Sequence, residues 1–183
     1  EGWNEAMELA DDTDDRIIVD LYSDWIADDE GRFSDDYWNG SGFKHDTIYF
    51  QDGIELTLNM NGHTINRGLT DSEADGEVMY IDSGSNIVIN NGTITGGRTN
   101  NGAGGIHVNG AYLYLNDVRV VDNKGLVEDY GGGIALYGHS NLVMNGGELG
   151  DNYADYRGGA VYLGDSGISA EFNDVKIYNN RSH

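Results

Sequence analysis

The 183-residue chain contains no cysteine and no proline. The first absence excludes disulfides, thiolate metal sites and cysteine nucleophiles. The second excludes a proline-rich linker and a collagen-like segment. Positive charge is also scarce: 10 Lys and Arg stand against 32 Asp and Glu, for a net charge of −22. A field of that sign repels phosphate backbones and argues against nucleic acid as a partner. No run approaches the ~18 apolar residues that a membrane span requires. Charge of one sign is a signature of disorder, but 38% hydrophobic residues, 12 Tyr and an internal repeat point instead to a folded, acidic, extracellular protein.

The repeat is carried by Ala103-Gly104-Gly105-Ile106-His107-Val108, Gly131-Gly132-Gly133-Ile134-Ala135-Leu136 and Gly158-Gly159-Ala160-Val161-Tyr162-Leu163. Weaker copies are Ile48-Tyr49-Phe50 and Met79-Tyr80-Ile81. Their anchors Ile48, Met79, Ile106, Ile134 and Val161 are separated by 31, 27, 28 and 27 residues. A second block, apolar-Asn-x-x-x-apolar, places Asn61, Asn90, Asn116, Asn145 and Asn173 at steps of 29, 26, 29 and 28. Two independent columns thus share one period of about 28 residues, the mark of a repeat architecture.

Each copy holds three short runs of alternating hydrophobicity, punctuated by Gly, Asn and Asp, and no copy has room for a crossover helix. Three strands per turn, stacked on themselves, predict an all-β fold: a right-handed parallel β-helix (β-solenoid) of about five rungs. The Asn61–Asn173 column is read as a ladder of amides, with Asn116 and Asn145 buried at a bend and bonded to neighbouring rungs. Asn123, Asn152 and Asn180 mark a further bend. The Gly pairs let the chain turn and let rungs approach closely. Inward columns are expected at Ile48/Met79/Ile106/Ile134/Val161, at Leu58/Ile87/Leu113/Leu142/Ala170 and at Ile65/Ile94/Val120/Leu149/Ile177.

Residues 1–46 lie outside the repeat and are read as an N-terminal cap over an open solenoid end. Trp3, Ala6, Met7 and Ala10 have helical spacing, and Ile17, Val19 and Leu21 alternate as a strand. The rungs then occupy 47–183. The sequence stops where another Gly-Gly-x-Ile strand would begin, so the chain is expected to continue as a longer solenoid beyond residue 183.

The Gly-Gly-Ala/Gly-Ile/Val strands and the Asn-rich second motif resemble right-handed parallel β-helix proteins of the pectate-lyase-like superfamily. They are most similar to repeats of bacterial cell-surface adhesin-like proteins, including the polymorphic outer-membrane protein type. Leu58-Asn59-Met60-Asn61-Gly62-His63-Thr64-Ile65-Asn66-Arg67-Gly68, followed by Asn91-Gly92-Thr93-Ile94-Thr95-Gly96-Gly97, is similar to the opening rungs of large surface proteins of anaerobic bacteria. The resemblance covers about residues 3–181. It implies an extracellular or bacterial cell-surface location and leaves function open, because this fold carries lyases, hydrolases and adhesins alike.

Candidate sites follow from the strand alternation. The middle residue of the first strand points outward and gives the column Tyr49, Tyr80, His107, Ala135, Tyr162, an aromatic platform suited to sugar rings. Tyr130 and Tyr156, each before a Gly-Gly turn and beside Asp129 and Asp155, form a second aromatic pair. Arg119, Glu148 and Lys176 read as a plus-minus-plus ladder rather than a catalytic base. No cofactor is expected; the candidates for a structural calcium ion are Asp122 and Asp151, which stack beside Asn123 and Asn152. The five His residues give no metal-binding spacing. The reading is a non-enzymatic surface module whose partner is a polysaccharide or a cell-surface glycan. The rival is a polysaccharide lyase or glycoside hydrolase of the same fold, with acid pairs such as Asp122/Asp151 or Asp129/Asp155 as machinery.

Overall fold

The computed structural model describes residues 16–27, 47–50, 53–70, 76–100, 102–126 and 130–183. These form a parallel β-solenoid with no helix. The helix expected at Trp3–Ala10 lies outside the described residues.

Three faces wrap one core. The first is a five-stranded sheet of Ile48–Phe50, Met79–Ile81, Ile106–Asn109, Ile134–Tyr137 and Val161–Leu163, in that spatial order and parallel throughout. Five strands delimit about four turns, slightly fewer than the five rungs read from the repeat. The second face runs from Ile17–Asp20 through Glu55–Asn59, Asn86–Thr95, Tyr112–Val121 and Asn141–Asn145 to Ser169–Asn173. A bend divides it, and a second row continues beyond: Trp25–Ile26, Thr64–Asn66, the distal halves of the two ten-residue strands, Glu148–Gly150 and Lys176–Tyr178. The third face is short: Arg98–Thr99, Lys124–Gly125, Tyr153–Ala154 and Arg181–Ser182.

Alternation drives the packing. Ile48, Met79, Ile106 and Ile134 stack in register and are fully buried, as are Ile65, Ile94, Val120 and Leu149. Each such side chain is stabilised by about 1.5–3 kcal/mol of apolar burial. Exposure rises on the first described turn, where Ile17, Val19 and Trp25 are half-buried, and on the last, where one rung rather than two covers each inward residue. Val161 and Ala170 are half-buried there, and Ile177, expected inside, is 56% exposed.

The second inward column differs from the expected one. Leu56, not Leu58, pairs with Ile87, Leu113, Leu142 and Ala170. Leu58 is buried in the neighbouring column with Ile89, Leu115, Met144 and Phe172. The same shift displaces Asn61: the residue in register with Asn90, Asn116, Asn145 and Asn173 is Asn59. The cause is a two-residue insertion. Four residues separate Asn59 from Thr64, whereas two separate their partners Asn90 and Thr93. Asn61 sits inside that insertion with φ 54°, and its side-chain amide donates to the Leu21 carbonyl at 3.1 Å.

Two bends give the coil its corners, and each uses left-handed residues. The first is Asn91, Asp117, Gly146 and Asp174, with φ of 48°, 53°, 68° and 55°. The second is Gly96, Asp122, Asp151 and Asn179, with φ of 79°, 54°, 55° and 53°. Asn, Asp and Gly tolerate this region best. The Asn59–Asn173 column precedes the first bend and faces outward. Its amides form a chain, each donating to the previous rung at 2.8, 2.8, 3.0 and 3.0 Å, with Asn59 donating to Asp20 at 2.8 Å. Asn116 is half-buried and Asn145 exposed, which corrects the expectation that both are buried.

The buried ladder follows the second bend. Asn123 and Asn152 are 0% and 1% exposed. At this position the backbone N–H leaves the strand ladder, and a side-chain oxygen from the next rung accepts it. Gly97 N–H donates to Asn123 Oδ1 at 3.1 Å, Asn123 N–H to Asn152 Oδ1 at 3.0 Å, and Asn152 N–H to Asn180 Oδ1 at 3.1 Å. The Nδ2 groups donate to carbonyls of the preceding rung: Asn123 to Ile94, Asn152 to Val120 and Asn180 to Leu149, at 3.2, 2.8 and 2.8 Å. The return to the first face is made by the Gly pairs. A Cβ on Gly105 would lie 2.3 Å from the Gly133 carbonyl oxygen, and one on Gly132 2.5 Å from that of Gly159.

The two Asn ladders are therefore unequal in energy. Asn152→Leu leaves the Asn123 N–H buried without a partner and removes a second donor from the Val120 carbonyl, and is expected to cost about 2–4 kcal/mol. Asn145→Leu frees groups that water can reach and is expected to cost less than about 1 kcal/mol. Chemical denaturation of both variants checks this; equal losses would contradict the assignment of the inner ladder.

Candidate functional site

The outward column of the first face is built as the alternation requires. Tyr49, Tyr80, His107, Ala135 and Tyr162 are in register on five successive strands. Tyr49 and Tyr80 stack with ring centroids 5.6 Å apart and planes at 28°. Tyr80 and His107 lie at 4.6 Å and 50°. Ala135 is buried and breaks the column, but the array continues past it. Tyr137, two residues along the same strand and so on the same face, meets His107 at 5.1 Å and Tyr162 at 5.9 Å. Tyr162 lies 4.4 Å from Tyr130, which meets Tyr156 edge-on at 5.1 Å. The Arg157 guanidinium caps the array 4.7 Å over the Tyr156 ring.

The two aromatic groups read separately from the sequence therefore form one array of seven rings, from Tyr49 to Tyr156. Tyr137 is the member the sequence reading missed, although its alternation with Ala135 marks it as outward. Asp82 and Asn109 were also missed, because turn acids and amides follow these strands without a distinguishing pattern. The Tyr49 hydroxyl donates to Asp82 Oδ2 at 2.5 Å, and Asn109 Nδ2 lies 3.4 Å from the Tyr80 hydroxyl. Of the neighbouring acid pair, Asp155 accepts from the Tyr153 hydroxyl at 3.0 Å, and Asp129 lies outside the described residues.

Burial sets the ionisation of the array. Desolvation lowers the His107 pKa to about 4, with the Asp82 carboxylate pulling weakly the other way. Gly102 packs against this imidazole so closely that a Cβ would sit 2.3 Å from Nδ1. Desolvation and then Asp82 raise the Tyr80 phenol, against the opposing Asn109 bond. At neutral pH the central rings are thus uncharged, and the face offers apolar ring surface edged by hydroxyl and amide groups.

The other candidates are placed as follows. Arg119 Nε donates to Glu148 Oε2 at 3.0 Å, and Lys176 Nζ lies 3.2 Å from Glu148 Oε1. The Tyr178 hydroxyl adds a third donor at 3.1 Å. Hydrogen bonds from Arg119, Lys176 and Tyr178 hold the Glu148 carboxyl below its usual value, and the bond to Glu148 raises Arg119. Both cations are engaged in a ladder. Asp122 and Asp151 are exposed at the second bend, where their left-handed φ accounts for an acidic turn former. Among the described residues, no group of three or more His, Asp or Glu is placed to hold a metal ion.

No family model matches this chain, and neither a curated protein nor a solved structure matches it.

The His107 shift carries a pH dependence. The unfolded imidazole takes up a proton near pH 6.5 and the folded one near 4, so between these values the unfolded state binds more protons. Stability from this group is complete above pH 6.5 and falls as pH drops towards 4, by up to about 3 kcal/mol. Stability of the parent and of His107→Phe, compared from pH 8 to 4, should diverge over that window. Parallel curves would contradict the burial of His107.

Proposed function

We propose that this chain is a non-enzymatic module of an extracellular or cell-surface protein, and that its aromatic face binds glycans. In this reading it is an adhesin-like repeat of the pectate-lyase-like type, as its Gly-Gly and Asn motifs suggest. The observation that carries the proposal is the continuous array from Tyr49 to Tyr156. Its first-face members sit on rungs spaced by about 4.8 Å, so successive rings offer successive sugars a stacking surface, while Asp82 and Asn109 supply polar groups at the edge. The low ionisation of His107 and Tyr80 favours an uncharged ring partner. Each stacking contact is weak, and useful affinity comes from several acting along one glycan or from many copies on a surface.

A lyase or glycosidase of the same fold would need a free base beside converging acids with raised pKa values. Arg119 and Lys176 are both bound to Glu148, so this reading has no observation of its own in support.

The test is titration with neutral linear oligosaccharides, followed by NMR. Tyr80 and Tyr162 should shift together, and Tyr80→Ala/Tyr162→Ala should lose the response while keeping its melting transition. Absence of binding, together with shortened or unsaturated products on incubation with acidic polysaccharides, would reverse the choice in favour of the enzyme.

A further inference from the structure

The third face holds an unexpected concentration of positive charge. Its outward column is Arg98, Lys124, Tyr153 and Arg181, in register on four strands. Three of the chain's ten Lys and Arg therefore stand on one short sheet, while the chain as a whole carries −22. Elsewhere such cations meet acids: Arg16 with Glu55, and Arg119 and Lys176 with Glu148. The side chains of Arg98, Lys124 and Arg181 make no ion pair or hydrogen bond among the described residues, and Arg98 Nε is buried without a partner. An unpaired buried donor of this kind costs about 1–3 kcal/mol, more when charged.

The three cations line one groove of about 390 Å³ with Leu126, Asp151 and Tyr153. Tyr153 stands between Lys124 and Arg181, and its hydroxyl is tied to Asp155 at 3.0 Å. The arrangement is a cation, a cation, a ring and a cation, at roughly 4.8 Å steps. We propose that this groove binds a sulfated oligosaccharide. A sugar stacks on Tyr153, and sulfate esters on it and its neighbours take Arg98, Lys124 and Arg181. A sulfate ester projects three terminal oxygens from the ring, so it takes donors from cations on two rungs. A ring carboxylate has two oxygens, which one arginine satisfies. The acidity of the rest of the chain weakens this attraction and excludes a long polyanion, but leaves a short one that stays within the groove, because at physiological salt charges beyond about 8 Å are screened. The site is separate from the aromatic face and does not rest on the function proposed for it.

Calorimetric titration of the full chain with a sulfated hexasaccharide, its desulfated counterpart, a uronate hexasaccharide and inorganic sulfate tests the proposal. The sulfated sugar should bind, and more weakly as salt is raised. Lys124→Gln/Arg181→Gln should weaken it about tenfold or more, whereas Tyr80→Ala/Tyr162→Ala should leave it unchanged. Asp151→Asn removes the acid lining the groove and is tolerated at its left-handed φ, so it should tighten binding roughly threefold. No binding by the parent, or binding indifferent to Lys124, Arg181 and Asp151, would overturn the site. Equal binding of the uronate sugar would overturn the sulfate assignment, and equal binding of inorganic sulfate would overturn the saccharide.

Discussion

The rung-to-rung backbone ladder is the constraint on which every other feature depends. A residue lies about 4.8 Å from the same position on the next turn, so whatever the sequence places there is multiplied into a column. Columns of Ile, Leu, Val and Met make the core. Columns of Tyr and His make a stacked surface, and a column of Arg, Glu and Lys pairs itself. The fold has little long-range packing beyond this, and its chemistry is correspondingly linear, written along faces rather than gathered into a pocket.

Corners are where the ladder would fail, because a left-handed residue turns its neighbour's N–H out of line. Asn123, Asn152 and Asn180 resolve this by lending a side-chain oxygen to the displaced N–H and a side-chain amide to a carbonyl of the preceding rung. One amide oxygen thus replaces the lost partner of a backbone N–H inside the core, where an unpaired group is costly, while the amide N–H adds a bond to the rung before it. The Gly pairs solve the neighbouring problem, the approach of backbone to backbone, by leaving no Cβ to collide.

The period, the parallel stacking and the anchors Ile48, Met79, Ile106 and Ile134 were legible because such columns leave an imprint at every turn. The position of the first Asn was not. A pattern that fixes Ile65 against Ile94 has no means of detecting two extra residues between Asn59 and Thr64, so Asn61 and Leu58 were assigned to columns that belong to Asn59 and Leu56. The burial expected of the first Asn column belongs to the second. Both use the same residue at the same period, and what separates them is their place relative to the bend. Asn116 precedes left-handed Asp117 and points out, whereas Asn123 follows left-handed Asp122 and points in. On the candidate face, Tyr49, Tyr80, His107 and Tyr162 were read in register. Tyr137 was missed because a column tracks one position per strand, while an aromatic ring spans to the next outward position. The free cations of the third face were hidden because two-residue strands give no alternation to read.

The aromatic and cationic faces both require rungs held rigidly in register, and that rigidity is assigned to the buried amide ladder. Native-state hydrogen exchange at the backbone N–H groups of Gly97, Asn123 and Asn152 measures this directly, since each donates to a side chain rather than to a strand. Exchange as slow as that of Val120 and Leu142 in the adjoining strands is the predicted result. Exchange at the rate of exposed turn residues such as Asp165 would show that the corners open independently of the sheets, and would contradict the account.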